Sequence, residues 1–333
     1  MQARTVVQYY HITYFFLCYH NKGKTGVPFC TVVSAVLAME SPNPHLFEYK
    51  GSYFVKDLVT PEYLDSLEDF EIRDSDVYLI TYPKSGTMWT RNILSLIYYE
   101  GYQNGTETIT STNDIQSVEY NMLKLNYLNI ISPRLFFSHL PYNLVPKGLR
   151  SGRGKVIYVA RNPKDVLVSY YHFSKVFLKM GEAEELDTFV GKFLAGKVLA
   201  GSWLDHVEGW STHRDDFNIL FLTFEEMKKD LRSSVLKICN FLGKRLNEKE
   251  VDDVIAKAAF HKMKMDPTRN VDFCLEHYPE LFNSRKGGFL RKGTIGDWKN
   301  TMTVAQNELF DSTMKERMEK LPFKFCWDIK DKL

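Results

Sequence analysis

The sequence predicts a single α/β domain of three layers, with a central parallel β-sheet and a P-loop-like loop for an anion. Three observations carry this. Short apolar runs rich in β-branched and aromatic residues alternate with stretches of helical spacing, the pattern of strands joined by crossover helices. One junction, VYLITYPKSGTMWTRNILSLIYYE at 77–100, sets a strand, a tight turn and a helix start in direct succession. Lys84, His139, Arg161 and Phe224 each follow the end of a predicted strand, and parallel strands bring such ends to one edge, where open α/β sheets bind ligands.

Taken in order, the first 46 residues form an atypical, weakly structured extension ahead of a domain spanning 47–333. Val6 to Cys18 and Val27 to Ala38 are apolar and separated by a basic, Gly-containing stretch. Neither reaches the roughly 18 to 20 residues that span a bilayer. A signal anchor remains an alternative, because the second run ends in small residues. The extension is preferred because globular patterning starts just after Met39, which leaves Met1 as an upstream start.

From Phe47 to Phe70 the irregular spacing predicts an entry segment and a helix, with Pro61 near its start. Val77 to Thr81 is a buried strand, and Trp89, Ile93, Leu96 and Ile97 share one face of the helix after it. At the turn between them, unpaired backbone N–H groups and the positive end of the helix dipole meet Lys84. A phosphate fits there, although GxxxxGK[ST] is absent and Gly86 follows the lysine. Residues 101–121 are polar and read as a loop over a pocket. Strands follow at Arg134 to Ser138, Lys155 to Ala160 and Asn218 to Leu222. Helices are expected over Val166 to Phe177, one or two over Phe189 to Trp210, and one over Met227 to Leu242 closed by Gly243. Val251 to Lys264 is a further helix, ended by Pro267, and the last runs from about Val304 to Lys320. Between them, GGFLRKGTIGDW at 287–298 combines glycines with Arg291 and Lys292 and reads as a lid gripping an anion.

Composition narrows the functional classes. In 333 residues, 43 Lys and Arg face 41 Asp and Glu, a net charge of +2, so there is no global pull toward nucleic acid or membrane. Five cysteines lack metal-ligand or CxxC spacing and read as reduced packing thiols of a cytoplasmic protein. Neither a metal nor a metal-ligand cluster is expected. Asn104-Gly105-Thr106 matches a glycosylation sequon and reads as a plain turn.

Together these motifs resemble the cytosolic sulfotransferase family over nearly all of Phe47 to Leu333. TYPKSGTMW (81–89) is similar to the family's loop for the 5'-phosphosulfate of 3'-phosphoadenylyl sulfate (PAPS). YVARNPKDVLVSYYHF (158–173) and FLRKGTIGDWKN (289–300) match its second and third signatures. The resemblance implies PAPS as co-substrate and places Lys84, Ser85, Gly86, Thr87 and Met88 around the phosphosulfate, with Trp89 against adenine. Arg161 and Ser169 would hold the 3'-phosphate with Arg291, Lys292 and Gly293. Phe224 stands where the family usually has tyrosine, with Phe260 as the second aromatic. His139 in SHLP falls on the catalytic histidine. Lys299, Thr303, Val304 and Glu308 match the family's dimerisation motif and imply a homodimer.

The physical roles agree: sulfuryl transfer needs in-line positioning and charge stabilisation, which Lys84 supplies, and a base near neutral pH, which His139 supplies. Phe137 replaces the lysine common two residues before that histidine, so an apolar or cation-π wall suits an amine acceptor. FEIRD, LVPKGLR, DLRSSVLKICNFL and the terminal WDI bring the resemblance closest to amine sulfotransferases. The expected reaction is N-sulfation of a small amine, with O-sulfation of a phenol, alcohol or steroid as the alternative. The acceptor pocket is expected from Tyr53, Phe54, Phe137 and His139, with loops 111–120 and 273–286. Two other readings are a nucleotide-binding homologue without catalysis and a P-loop kinase or NTPase. The second lacks its GK[ST] loop and a strand-end aspartate for magnesium.

Overall fold

The computed structural model describes residues 43–99, 115–122, 124–181, 184–266, 269, 275 and 278–331. The extension up to residue 42, the sequon and Pro267 lie outside the described residues. The described residues open with a hairpin in place of the irregular entry segment expected from the spacing: β1 (Leu46–Tyr49) pairs antiparallel with β2 (Ser52–Val55). Its two turn residues, Lys50 and Gly51, have φ of 47° and 82°, the positive values a tight two-residue hairpin demands. Helix α1 (Pro61–Ser66) follows, with Pro61 in its first turn as expected.

The main sheet is five-stranded and all parallel. It comprises β3 (Val77–Thr81), β4 (Ile115–Ser117), β5 (Leu135–Ser138), β6 (Lys155–Ala160) and β7 (Ile219–Thr223), in the order β4-β5-β3-β6-β7. Helices α2 (Thr87–Tyr99), α3 (Pro163–Ser174), α4 (Leu186–Leu194), α5 (Trp203–Thr212), α6 (Phe224–Lys229), α7 (Leu231–Leu242), α8 (Glu248–Ala258), α9 (Phe260–Met265) and α10 (Val304–Met318) surround it.

The three layers follow from the two-residue period of the strands. On β3, Tyr78 and Ile80 enter a core with α3, α4, α5 and α10, whereas Val77 and Leu79 enter a second core with α2, α7 and α8. Strand β6 divides the same way, with Val156 and Tyr158 on one side and Ile157 and Val159 on the other. Such strands read as unbroken apolar runs, and that is why they were legible.

Several boundaries differ from the sequence expectation for local reasons. Strand β4 falls inside the stretch read as a loop, pairing Ile115 with Leu135 at the sheet edge. Helix α3 starts earlier than Val166, because Asn162 caps it by accepting from the N–H groups of Lys164 and Asp165, with Pro163 in the first turn. The helix expected over 227–242 is two, α6 and α7, divided where Asp230 leaves helical geometry and caps Ser233. Helix α7 ends at Gly243 in the left-handed conformation, the expected cap. The helix expected over 251–264 also breaks, at Ala259 with ψ of 129°, which starts α9 on Phe260.

The amino-terminal edge of the sheet is closed by a buried ion pair. Arg134 and Asp76, both fully buried, meet at 2.5 Å. Arg134 also donates to the carbonyl of Glu71, and Asp76 accepts from the backbone N–H of Arg73.

Candidate active site

The opposite, carboxyl edge carries the polar side chains singled out above. After β3 the chain turns through Tyr82–Gly86, with Ser85 N–H donating to the Tyr82 carbonyl. Lys84 takes a φ of +70° and Gly86 of +105°. A Cβ on Gly86 would lie 2.9 Å from the ring of Phe224, so glycine here serves both the turn and a close approach. Thr81 and Thr87 join across the turn through their hydroxyls at 2.7 Å.

Lys84 is surrounded by cations and rings. Its ammonium lies 3.9 Å from the ring centre of Phe173. Burial first, and then the charges of Arg161 and Arg291, push its pKa down to about 7. Arg161, at the end of β6, donates to the carbonyls of Lys84 and Thr294, both at 3.0 Å, and stacks 4.1 Å over Phe224. Trp89 is buried, meets Phe224 edge-on at 5.3 Å, and donates its indole N–H to the Ala258 carbonyl. Gly293 packs so closely on Phe260 that a Cβ would stand 2.4 Å from its ring.

His139 follows β5. Its Nδ1 lies 2.7 Å from the carbonyl oxygen of Thr81 and its backbone N–H donates to buried Glu119 at 2.7 Å. Because a carbonyl only accepts, Nδ1 carries the proton in the neutral ring and Nε2 holds the lone pair. Burial lowers the imidazole pKa, Glu119 and the Thr81 carbonyl act against that, and Lys84 and Arg91 act with it.

The segment 287–298 lies over this edge without regular structure until a short 3-10 turn at Asp297–Asn300. It is tied down by Asp165 of α3, whose carboxylate accepts from the backbone N–H groups of Gly296 (2.8 Å) and Trp298 (3.1 Å). Arg291 and Lys292 both pair with Asp297 at 2.7 Å. These hydrogen bonds and charges hold Asp297 at a pKa of about 2, against the effect of its burial.

One cavity of about 380 Å³ joins these groups. Lys84, Gly86, Thr87, Met88, Trp89, Arg161, Ser169, Phe224, Phe260, Arg291, Lys292 and Gly293 line it, together with Phe137 and His139. Ser85 lies beneath the surface, fully buried. Two expected pocket residues are corrected. Phe54 turns into the core against Phe47 and Tyr49, and Tyr53 directs its hydroxyl to Glu48; Val55 and Leu58 line the cavity instead. Phe137 is not a bare apolar wall, since the guanidinium of Arg91 covers its ring at 4.4 Å. Sequence reading missed Arg91 as a lining residue, whereas Tyr120, Tyr278 and Phe282 belong to the 111–120 and 273–286 loops expected at the pocket as ranges. The clue to Arg91 was its place one helical turn beyond Thr87; Tyr278 and Phe282 sit in a stretch without periodicity.

Away from the cavity, Lys299 pairs with Asp328 at 2.6 Å and Thr303 caps α10. Val304 is 75% exposed and Glu308 faces solvent beside it. Among the described residues there is no cluster of metal-ligating side chains and no helix long and apolar enough to cross a membrane.

A parallel α/β sheet with a cation-lined turn, an aromatic bed and a histidine at one edge defines a group-transfer site for an anionic donor. A sulfotransferase-domain profile matches residues 74–322. A rabbit (Oryctolagus cuniculus) amine sulfotransferase is 50% identical over 88% of this chain and 97% of its own length. Mouse (Mus musculus) sulfotransferase 2B1 is 41% identical over 85% of this chain and 82% of its own length. In three dimensions a mouse sulfotransferase complexed with PAP, adenosine 3',5'-bisphosphate, superposes with a TM-score of 0.67. It is 31% identical and covers 83% of this chain and 96% of the other. The chain therefore belongs to the sulfotransferase family and is a sulfotransferase.

Proposed function

We propose that this enzyme moves the sulfuryl group of PAPS to the nitrogen of a small amine, giving a sulfamate. The observation that carries the reading is that one cavity is lined both by the Lys84 turn and by His139 with Phe137. The donor end fits a doubly phosphorylated adenylate. Arg161 Nε and Arg291 Nε, on two of its lining residues, are buried without a partner, and unpaired buried donors are costly unless a ligand oxygen meets them. Trp89, Phe224 and Phe260 give adenine its bed, and Arg161, Ser169, Arg291, Lys292 and Gly293 give the 3'-phosphate its donors.

In the transfer, the acceptor nitrogen bonds to sulfur as the bond from sulfur to the 5'-phosphate oxygen breaks. The electron pair stays on that oxygen, where Lys84 offsets the developing charge. His139 Nε2 takes the proton from nitrogen.

The amine assignment is supported by the 50% identity to the rabbit amine sulfotransferase. O-sulfation of a phenol, alcohol or steroid is the second reading, favoured by the aromatic cavity and by the 41% identity to sulfotransferase 2B1. We take residues 47–333 as the catalytic domain, working in the cytoplasm as a homodimer through Lys299, Thr303, Val304 and Glu308. A panel of aryl and alicyclic amines, phenols and steroids with labelled PAPS, run on the full chain and on a form starting at Met39, tests this. Sulfamate formation is expected from both forms. Ready turnover of phenols or steroids without amine turnover would overturn the amine assignment, and no transfer to any acceptor would leave a binding protein.

A further inference from the structure

The 287–298 segment carries its own anion beside its two cations. Arg291 Nη2 and Lys292 Nζ each meet one carboxylate oxygen of Asp297 at 2.7 Å. Asn300 adds a longer contact, its Nδ2 lying 3.4 Å from Oδ1 of the same group. The carboxylate is only 5% exposed, so water does little to screen what it gives the two cations. It cannot easily drift away either, because Asp165 fixes the backbone N–H groups of its neighbours Gly296 and Trp298.

The two cations face in another direction as well. Arg291 and Lys292 both line the cavity, whereas Asp297 does not, and Arg291 Nε is buried without a partner. The charge of Asp297 also bears on Arg161, the remaining guanidinium of this corner, together with Asp165 and Glu225. Cations suited to a phosphate are thus met from behind by acids of the same chain. A phosphate that accepts from Arg291 and Lys292 has to sit beside that carboxylate or take its place. Two anions at such a distance repel, and each cation's charge is shared between them.

Resting on the reading of Arg291 and Lys292 as donors to the 3'-phosphate, we propose that Asp297 is an affinity-determining residue, an internal anion that competes with the nucleotide's 3'-phosphate for these two cations. Sulfuryl transfer leaves the 3'-phosphate untouched, so PAPS and PAP carry it alike. The competition therefore loosens the spent product as much as the incoming donor. It gives the enzyme a hold on the nucleotide that is selective for the 3'-phosphate yet readily released. In the empty site the same carboxylate keeps two like charges side by side, ready for the ligand.

The test compares PAP with adenosine 5'-monophosphate (AMP), which lacks only the 3'-phosphate. Affinities are read by calorimetry, AMP in competition with PAP, for the wild type, Asp297→Asn and Asp297→Glu. Asp297→Asn should bind PAP about tenfold more tightly while AMP changes by less than about twofold, and KM for PAPS should fall in step. Asp297→Glu keeps the charge and should stay near the wild type. Should Asp297→Asn not fold, Asp297→Ser carries the same expectation. Weaker PAP binding would show that the carboxylate serves to orient the cations, and would overturn the proposal. Equal tightening of PAP and AMP, or no change in either, would overturn it too. A double variant, Arg291→Met with Lys292→Met, separates this from the reading beneath it. Loss of PAP affinity by about tenfold or more, with AMP unaffected, upholds the 3'-phosphate assignment whatever Asp297 does. If that variant binds PAP as the wild type does, the assignment falls and the competition with it.

Discussion

The imidazole of His139 and the backbone carbonyl of Thr81 meet at 2.7 Å, so the last residue of β3 sets the tautomer of a ring that follows β5. These strands are neighbours in the sheet, and the contact leaves Nε2 as the basic nitrogen. His139→Ala should lower kcat by about 10² to 10⁴-fold while PAP binding, followed by calorimetry, persists. Because the His139 pKa is lowered, activity toward an aryl amine, which is uncharged in this range, should fall with acidification only below the usual imidazole value of about 6.5. An acid limb at or above that value would contradict the assignment, as would full activity in the variant.

Lys84 gives a proton-linkage prediction. Its pKa of about 7 lies below its ordinary 10.5, so between those values the unfolded chain binds more protons than the folded one. Stability of the donor-free protein should accordingly rise with pH across that window. PAP brings negative charge to Lys84 and raises its pKa again, so binding near pH 8 should take up a proton. Calorimetry in two buffers of different ionisation enthalpy reads this directly. Equal linkage in Lys84→Met would remove the lysine from the account.

The fit of Gly293 against Phe260 is tight enough to test by one methyl group. At Gly293 φ is +64°, a conformation costing alanine roughly 1 to 2 kcal/mol, and the new Cβ would stand 2.4 Å from the ring. Gly293→Ala should weaken PAP binding by about tenfold or more. Adding Phe260→Leu should restore part of the loss, and a double variant no better than the single would show that the ring is not the obstacle.

On α10, the exposed Val304 next to the Lys299–Asp328 pair gives the homodimer its test. Val304→Glu should shift sedimentation from dimer to monomer. A wild type that sediments as a monomer at every concentration would end the dimer proposal.

The parts legible in the sequence were those written locally. TYPKSGTMW encodes its turn, its cation and its helix start within nine residues, and β3 and β6 announce themselves because both faces are buried. Other features depend on distant partners. Strand β4 has three residues and exists through its register with Leu135 and Phe137, which nothing in its own polar surroundings specifies. Tyr53 and Phe54 were expected at the pocket, but hairpin geometry turned one toward Glu48 and the other into the core. Arg91 reads as the polar face of a helix until Phe137 is seen beneath it. Asp165 stands one residue before the expected start of its helix, and in the structure it anchors Gly296 and Trp298 from more than a hundred residues away.

The Arg134–Asp76 pair gives the sheet two unlike ends. Removing either partner leaves an uncompensated buried charge, at a cost of about 3 to 5 kcal/mol, so that rim resists change and its amides should be slow to exchange with deuterium. The opposite rim leaves donors without partners, and its loops can be altered with less risk of unfolding the protein. Efforts to redirect this enzyme to new acceptors therefore have a natural address, the loops around Tyr120 and Tyr278, and a foundation that should be left untouched.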